Sequence, residues 1–462
     1  MATDVEKASP PPSPPPDSTT PTTPARTANN TTTTTPDVFN PRLAWTQVLA
    51  GHLCVFNTFG QINAFGIFQA HYTSRLRPPL PPSTISWIGT LQILLIYGLG
   101  PLSGRCLDAG HLRPVIAAGT ALQALGLFAL SGVDLDDGGG TGAYWKVVLA
   151  QGVCQGVGMG LVFCPAVANA ATAFAGSARR VLAVSCVACG GATGGVVFPA
   201  IAQRMMAAGG PAGFAWMVRV MGFVVVGNGA VVLALARARA REGRERGRER
   251  ERGRERERAP LVEWSAFAEP PYALYCVSMF FAFWGIWVAY YYVRSYARDI
   301  LGFSDVDSFN LILIINGVGV PGRLVPALIA DRFFGPVNVF IPVIFLAGIC
   351  LFCWAAVASS AGMIAFVVFY GFFGAGTQSL LQAALASLNT DVKKAGVRIG
   401  MGFSVVGLAS LTGSPVGGAL LEQKNGQYLY AQMFAGGTMV LGSFILVAAR
   451  ISKTGFVLRK RM

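Results

Sequence analysis

Charged residues are scarce in this sequence. Asp, Glu, Lys and Arg make up only 13% of its 462 residues, whereas 53% of the residues are apolar. A soluble globular chain carries about 25% charged residues, which cover its water-facing surface. The composition therefore excludes a soluble globular protein of this length and indicates a protein that is embedded in a lipid bilayer.

Residues suited to catalysis or metal binding are scarce as well. The three histidines, His52, His71 and His111, form no HExxH pattern or other cluster of metal ligands. No Walker A sequence is present to hold ATP. The nine cysteines lie within or at the ends of apolar segments, so no disulfide framework is expected. The sequence therefore predicts neither an enzyme nor an ATP-driven pump, and no cofactor or metal.

The basic charge does not indicate binding to nucleic acid. The formal net charge is +14, but one low-complexity block at residues 237–269 combines eleven Arg with eight Glu. Glu neutralises most of the Arg charge, and no aromatic residue interleaves with it before Trp264. The block predicts a solvated cytosolic linker, and weak contact with anionic lipid head groups is the alternative.

Apolar segments long enough to cross about 30 Å of hydrocarbon recur along the rest of the chain. The sequence predicts twelve spans. Their approximate bounds are 44–68, 84–104, 112–131, 144–170, 179–202, 213–236, 271–293, 308–330, 338–358, 361–386, 396–421 and 430–450.

An internal repeat relates the spans on either side of the charged block. Asp108 lies just beyond the cytosolic end of span two and Asp331 just beyond that of span eight, 331 − 108 = 223 positions apart. A GxxxGG frame begins at Gly190 in span five and again at Gly413 in span eleven, also 413 − 190 = 223 positions apart. Duplication predicts an all-α polytopic membrane protein with twelve transmembrane helices in two six-helix halves. The predicted domains are a disordered cytosolic N-terminal tail (1–42), an N-terminal half (43–236), a charged cytosolic linker (237–269), a C-terminal half (270–450) and a cytosolic C-terminal tail (451–462).

The distribution of Lys and Arg predicts the orientation. Basic residues follow spans two, four, eight and ten and fill the C-terminal tail, whereas most loop aspartates lie on the opposite side. The positive-inside rule therefore places both termini in the cytosol. No basic segment followed by an apolar stretch precedes span one, so a cleavable signal peptide is not expected. The plasma membrane is favoured over the vacuole because the C-terminal tail shows no retention address.

Two short acidic and basic motifs suggest cytosolic gates. A carboxylate beside the N-terminus of a neighbouring helix, together with arginine, forms a charge network that closes one side and breaks when that side opens. The alternative is that the aspartates only cap helices. The predicted gating residues are Asp108, Arg113, Asp331 and Arg332.

Arg323 is the one full charge near the middle of a predicted span. No Asp or Glu lies inside any predicted span to neutralise it. An unpaired arginine in a helix bundle is costly unless it lines a wet cavity, so an anionic substrate is a natural counter-charge. The alternative is an arginine that extends toward the cytosol or bonds to backbone carbonyls.

Other polar residues inside the spans are candidates for a central path. Asn63, Gln151, Gln155 and Asn316 are predicted to orient a substrate, and Gln378 and Gln382 have spacing that faces the same path. His52 could carry protons, although a lone histidine is more often a hydrogen-bonded interior group. The aromatic cluster of span seven, which includes residues 290–292, predicts an interfacial belt, with an outer gate as the alternative.

Several stretches together resemble the major facilitator superfamily, and within it the fungal branch of the monocarboxylate porter family. The resemblance covers about residues 36–450, and its most telling stretches are Asn63-Ala-Phe-Gly-Ile-Phe-Gln69, Arg179-Arg180-Val-Leu-Ala183, Pro321-Gly-Arg323 and Ala330-Asp331-Arg332. It implies secondary transport by alternating access, typically of a small carboxylate together with a proton. The animal members resembled place an aspartate one turn before the arginine and a lysine in span one. This chain has Gly319 and, approximately, Asn63 at those positions.

The resulting hypothesis is a plasma-membrane transporter, secondary active or facilitative, for a small organic anion of the monocarboxylate type. Its expected partners are the anion, the lipid bilayer and, from the resemblance alone, protons. One alternative is an efflux carrier for a neutral or cationic metabolite, in which Arg323 is structural. A second alternative is a sensor that resembles a transporter but moves no substrate.

Overall fold

The computed structural model describes residues 40–76, 79–108, 110–135, 142–174, 177–208, 212–250, 263–388, 395–424 and 426–456. Helix is the only regular secondary structure in these ranges. The helices are α1 (Pro41–Asn63, continued by Phe65–Arg75), α2 (Pro82–Gly98 and Gly100–Asp108), α3 (Leu112–Leu130), α4 (Gly142–Val147, Val148–Gln155 and Gly156–Ala173), α5 (Arg180–Ala208), α6 (Gly213–Arg250), α7 (Pro270–Asp299), α8 (Asp305–Ile329 and Ala330–Phe334), α9 (Pro336–Trp354), α10 (Ser360–Leu388), α11 (Ala395–Gln423) and α12 (Leu429–Thr454).

These helices confirm the predicted all-α fold class. Within the described ranges, eleven helices, α2 to α12, are long and apolar enough to cross a membrane. Helix α1 coincides with the predicted first span, but Gln47, His52 and Asn57 lower its mean hydropathy. The predicted disordered tail at 1–42 lies outside the described residues, apart from residues 40–42.

The lateral surface of the bundle is apolar. Large side chains that are more than half exposed lie on several helices. They include Leu125, Phe223, Phe369 and Phe444. Such a surface is unfavourable in water and suits contact with acyl chains, while the helices satisfy their own backbone hydrogen bonds.

Two helices contain a π-helical segment, and both segments hold predicted site residues. Val148–Gln155 in α4 includes Gln151 and Gln155, and Ala330–Phe334 at the end of α8 includes Asp331 and Arg332. A π segment changes the direction of the side chains relative to a continuous α-helix and often occurs at functional sites.

The repeated glycine frames make equivalent close contacts. A Cβ atom at Gly190 of α5 would lie 2.1 Å from the carbonyl oxygen of His52 in α1. A Cβ atom at Gly413 of α11 would lie 2.0 Å from the carbonyl oxygen of Trp284 in α7. Only glycine therefore permits these backbones to approach so closely.

The charged block contains more helix than its predicted role as a linker required. Helix α6 continues to Arg250, because Arg and Glu are good helix formers. The end of the block forms a 3₁₀ turn over Trp264–Ala268. Glu263 and Glu269 then bind the guanidinium of Arg398 in α11, with hydrogen bonds of 2.6–3.2 Å.

Candidate functional site

A narrow cavity lies between α1, α2, α4, α5, α8 and α10. Its lining residues are Val55, Phe59, Tyr97, Phe163, Val167, Val184, Ala188, Arg323, Gln378 and Gln382. The volume of the cavity is about 20 Å³. That is room for roughly one water molecule. A metabolite can therefore enter only when the surrounding helices move apart.

Arg323 supplies the charge of this cavity. Its side chain is 2% exposed. One terminal nitrogen donates to the carbonyl oxygen of Gly319 at 3.2 Å, and the other donates to Oε1 of Gln378 at 2.8 Å. Its Nε has no hydrogen-bond partner within the part of the chain that the structure describes. No Asp or Glu among the described residues forms an ion pair with it.

Gly319 makes room for the guanidinium. A Cβ atom at this position would lie 2.8 Å from Nη1 of Arg323. Gly319 therefore allows Arg323 to fold back onto its own helix. The arginine is held by backbone and amide oxygen atoms, which leave its positive charge uncompensated.

Two of the predicted orienting residues lie next to this arginine. Asn63 donates to the carbonyl oxygen of Gly191 at 3.0 Å, and a Cβ atom at Gly191 would lie 3.7 Å from both Asn63 Nδ2 and Arg323 Nη2. Asn316 packs its Oδ1 against Gly195, one turn further along α5. Neither amide oxygen has a hydrogen-bond partner among the described residues. The structure thus brings Asn63, Asn316 and Arg323 together along one face of α5.

The other two orienting residues bond elsewhere in the bundle. Gln151 accepts a hydrogen bond from the hydroxyl of Tyr72. Gln155 donates to Oε1 of Gln61 and accepts from Nε2 of Gln92 at 2.9 Å. These contacts join α1, α2 and α4, and neither glutamine lines the cavity of Arg323.

Three aromatic residues of the cavity escaped the sequence analysis. Phe59, Tyr97 and Phe163 are isolated aromatics in apolar helices, where nothing in the local pattern separates a lining residue from a packing residue. Their position depends on how three helices meet. Gln378 and Gln382, by contrast, were identified by their spacing on one helix face.

His52 lies outside the lining of the cavity, between α1 and α5. Its Nδ1 is 2.9 Å from the carbonyl oxygen of Cys186, and its Nε2 is 3.0 Å from the hydroxyl of Thr193. Both ring nitrogens therefore have partners on the same neighbouring helix.

Of the predicted gating residues, Asp331 makes the contact that the motif suggests. Its carboxylate accepts from the backbone N–H groups of Val181 at 3.2 Å and Leu182 at 2.8 Å, in the first turn of α5. Arg332 lies over the ring of Phe333, with 5.4 Å from its central guanidinium carbon to the ring centroid.

The other two gating candidates are at the α2–α3 junction. Arg113 lies in the first turn of α3 and is half-buried. The side chain of Asp108 lies outside the described residues.

The three consecutive tyrosines of α7 do not form an interfacial belt. Tyr290–Tyr292 are at most 3% exposed, so they do not reach the lipid surface. The ring of Tyr291 lies 4.9 Å from that of Phe65 in α1, and the hydroxyl of Tyr292 lies 2.8 Å from that of Ser86 in α2. The expectation of a belt is wrong for these residues, because packing against α1 and α2, and for Tyr290 against Tyr370 of α10, buries them.

Known proteins match the chain in both sequence and fold. The family model described as Major Facilitator Superfamily matches residues 48–413. An MFS-type transporter of Gibberella zeae is 38% identical over 411 residues, which cover 88% of this chain and 87% of that protein. An aspyridones efflux protein of Emericella nidulans is 31% identical over 409 residues, which cover 88% of this chain and 78% of that protein.

A solved structure supports the same architecture. The proton:xylose symporter XylE, bound to 6-bromo-6-deoxy-D-glucose, superposes with a TM-score of 0.69 at 14% identity. The match covers 89% of this chain and 96% of that chain. At this identity, the likeness concerns the fold alone.

Proposed function

Because the chain belongs to the Major Facilitator Superfamily, we propose that it exports an organic anion across a membrane by alternating access. Its relatives include fungal proteins named for the efflux of aspyridones, agnestins and fujikurins, which supports export. The superfamily predicted from the sequence is confirmed. The narrower assignment to the monocarboxylate porters and to small carboxylates stays a prediction from the resemblance.

The observation that carries the anion proposal is the buried, uncompensated guanidinium of Arg323 beside a cavity. Burial of an unpaired charge costs several kcal/mol, on the order of 3 or more in a membrane. An anionic substrate offsets that cost when it binds, whereas a cation would increase it. A neutral or cationic substrate is therefore disfavoured at this cavity.

The alternating-access proposal rests on α8, which carries both the anion site and an inner contact. Asp331 lies eight positions beyond Arg323, about 12 Å along the helix. A movement of α8 that enlarges the cavity therefore also acts on the contact between Asp331 and α5. This link couples substrate binding to opening of the side at which α5 begins.

The topology completes the proposal. We place both termini in the cytosol and the protein in the plasma membrane, as the positive-inside rule and the C-terminal sequence predict. The contact of Asp331 then lies on the cytosolic side, and the α7 tyrosines lie on the outer side.

Transport by purified full-length protein in proteoliposomes tests this proposal. A labelled panel of organic acids, from acetate to 2-naphthoate, is compared with a panel of amines of the same size. We expect counterflow of at least one acid, competition by acids and not by amines, and a loss of about tenfold or more in Arg323→Gln. Arg204→Gln, at an exposed arginine, is the matched control.

Three results would contradict the proposal. Competition by amines alone would favour a carrier of cations, and unchanged acid transport in Arg323→Gln would make the arginine structural. Ligand binding without any flux, in protein that unfolds cooperatively, would favour a sensor.

A further inference from the structure

Aromatic side chains form one wall of the Arg323 cavity. The ring of Phe59 lies 5.0 Å from that of Phe163 and 5.7 Å from that of Tyr97, and the latter two rings are 5.8 Å apart. Three helices therefore direct mutually packed rings toward one space. Aromatic rings favour stacked or edge contacts with another aromatic ring over contacts with a saturated body of equal size.

Two further rings close this wall from helices late in the chain. Trp287 of α7 stacks on Phe59 at 6.2 Å with an interplanar angle of 16°. Phe403 of α11 lies 5.4 Å from Tyr97. When α7 and α11 move away from α1 and α2, the faces of Phe59 and Tyr97 lose these partners. A planar ring of the substrate can then replace them.

The polar end of the cavity presents two donors. Arg323 Nε has no partner among the described residues. Gln378 uses its Oε1 to accept from Arg323, which fixes the orientation of the amide. Its Nε2 then faces the hydroxyl of Tyr290 without a complete hydrogen bond to any described residue, so it remains available as a donor. Two adjacent N–H donors, one of them cationic, match the two oxygen atoms of an acidic group.

Gln382 adds an acceptor to this end. It follows Gln378 by one helical turn on α10, and its buried Oε1 has no hydrogen-bond partner in the described ranges. A carboxylate cannot satisfy this oxygen because it has no hydrogen to donate. A hydroxyl or N–H group of the substrate, close to its acidic group, would supply the missing hydrogen in place of water.

From this arrangement, and resting on the proposed export of an organic anion, we infer that the substrate is a planar aromatic acid with a hydroxyl group beside the acidic group. Arg323 and Gln378 bind the acidic oxygens, and Gln382 accepts from the neighbouring hydroxyl. Phe59, Tyr97 and Phe163 contact the ring. Small aliphatic monocarboxylates satisfy only the first of these interactions.

Equilibrium binding of fluorescent 3-hydroxy-2-naphthoate to the full-length protein in detergent tests this inference. Its affinity is compared with those of 2-naphthoate, which lacks the hydroxyl, and decahydro-2-naphthoate, which lacks the aromatic rings. We expect 2-naphthoate to bind about tenfold more weakly, because Gln382 is left without a partner. Decahydro-2-naphthoate should bind more weakly than 2-naphthoate, again by roughly tenfold.

Two variants assign these preferences to named residues. Gln382→Met keeps the length of the side chain but removes the acceptor. In this variant 3-hydroxy-2-naphthoate and 2-naphthoate should therefore bind with about equal affinity. Binding of 2-naphthoate should change less than about twofold in this variant. Phe163→Leu should remove most of the preference for 2-naphthoate over its saturated analogue. Phe369→Leu, at a position with 59% exposure on the lateral surface, is the matched control.

The outcomes separate this inference from the proposed function. Equal affinity for the three acids, or a hydroxyl preference that survives in Gln382→Met, overturns the inference. If binding of those acids still requires Arg323, the proposed anion site stands even though the inference about the aromatic ring and the hydroxyl fails. If no acid binds, or if Arg323→Gln binds acids normally, the proposed function itself fails.

Discussion

The carboxylate of Asp331 in α8 accepts a hydrogen bond from the backbone N–H of Leu182 in α5, with 2.8 Å between oxygen and nitrogen. Its second oxygen accepts from the N–H of Val181. These N–H groups belong to the first turn of α5, which has no intrahelical acceptors for them and carries the positive end of the helix dipole. A side chain about 150 positions away thus caps this helix, and the cap must break when α8 and α5 separate.

Asp331→Ala is expected to loosen this end of the bundle. Loss of a capping carboxylate costs about 1 kcal/mol, or roughly fivefold in the opening equilibrium. Hydrogen–deuterium exchange at the amides of Val181 and Leu182 should accelerate by about that factor. Asp299→Ala, which removes an exposed carboxylate at the end of α7, should leave those amides unchanged. Unchanged exchange in Asp331→Ala would show that the cap does not restrain this end of the bundle.

Gly319→Ala is expected to weaken acid binding without unfolding the protein. The added Cβ would lie 2.8 Å from Nη1 of Arg323, so the guanidinium must leave its present position. We expect affinity for a transported acid to fall by about tenfold, because a displaced cation no longer meets the acidic group. The neighbouring Gly317→Ala is the matched control, since a Cβ there meets no atom within 4 Å. Equal affinities in the two variants would contradict the role assigned to Gly319.

The sequence predicted the helices more completely than the site. Long apolar segments determine the helices, and each predicted span overlaps one helix of the structure. Spans 112–131, 179–202 and 338–358 extend one to four residues beyond an end of their helix. The position of Asp331 beside the start of α5 also followed from a short motif. These features depend on local pattern, which a single sequence carries directly.

The composition of the cavity depends on contacts that no local pattern reports. Gln151 and Gln155 have the spacing of path-lining residues, but the π segment of α4 and the tyrosine and glutamines of neighbouring helices engage them elsewhere. Phe59 packs closely over Gly191, where an added Cβ atom would lie 3.0 Å from the Cβ of Phe59. Such pairings arise from helix packing and become visible only in the assembled bundle.

Gly190→Ala is expected to destabilise the protein strongly. Its Cβ would lie 2.1 Å from the carbonyl oxygen of His52 and 2.8 Å from the backbone nitrogen of Phe56, and neither backbone atom can move independently. Overpacking of this kind typically costs about 1–3 kcal/mol. The thermal unfolding midpoint in detergent should therefore fall by several degrees. Gly227→Ala on α6 meets no atom within 4 Å and should unfold at the same temperature as the original protein or slightly above it. A stable Gly190→Ala would indicate that α1 and α5 separate easily.

His52→Gln tests whether this histidine carries protons. Nδ1 faces the carbonyl oxygen of Cys186, an acceptor only, so this nitrogen must bear a hydrogen. Nε2 faces the hydroxyl of Thr193, which can donate to a neutral imidazole or accept from a protonated one. In the second state the hydroxyl can donate to the carbonyl oxygen of Gly190 at 3.2 Å. The same geometry therefore accommodates both charge states of the ring after rotation of one hydroxyl.

We predict that His52→Gln removes the stimulation of transport by a pH gradient but retains counterflow at equal pH. Glutamine preserves hydrogen bonding to α5 but does not titrate, so conformational exchange should continue without proton movement. His71→Gln, in which a ring stacked on Phe214 is lost at the opposite end of α1, should keep the response to the gradient. If His52→Gln keeps that response as well, His52 is a packing residue. Because no carboxylate lies inside a predicted span, a carrier without His52 would then work as a uniporter or exchanger built around Arg323.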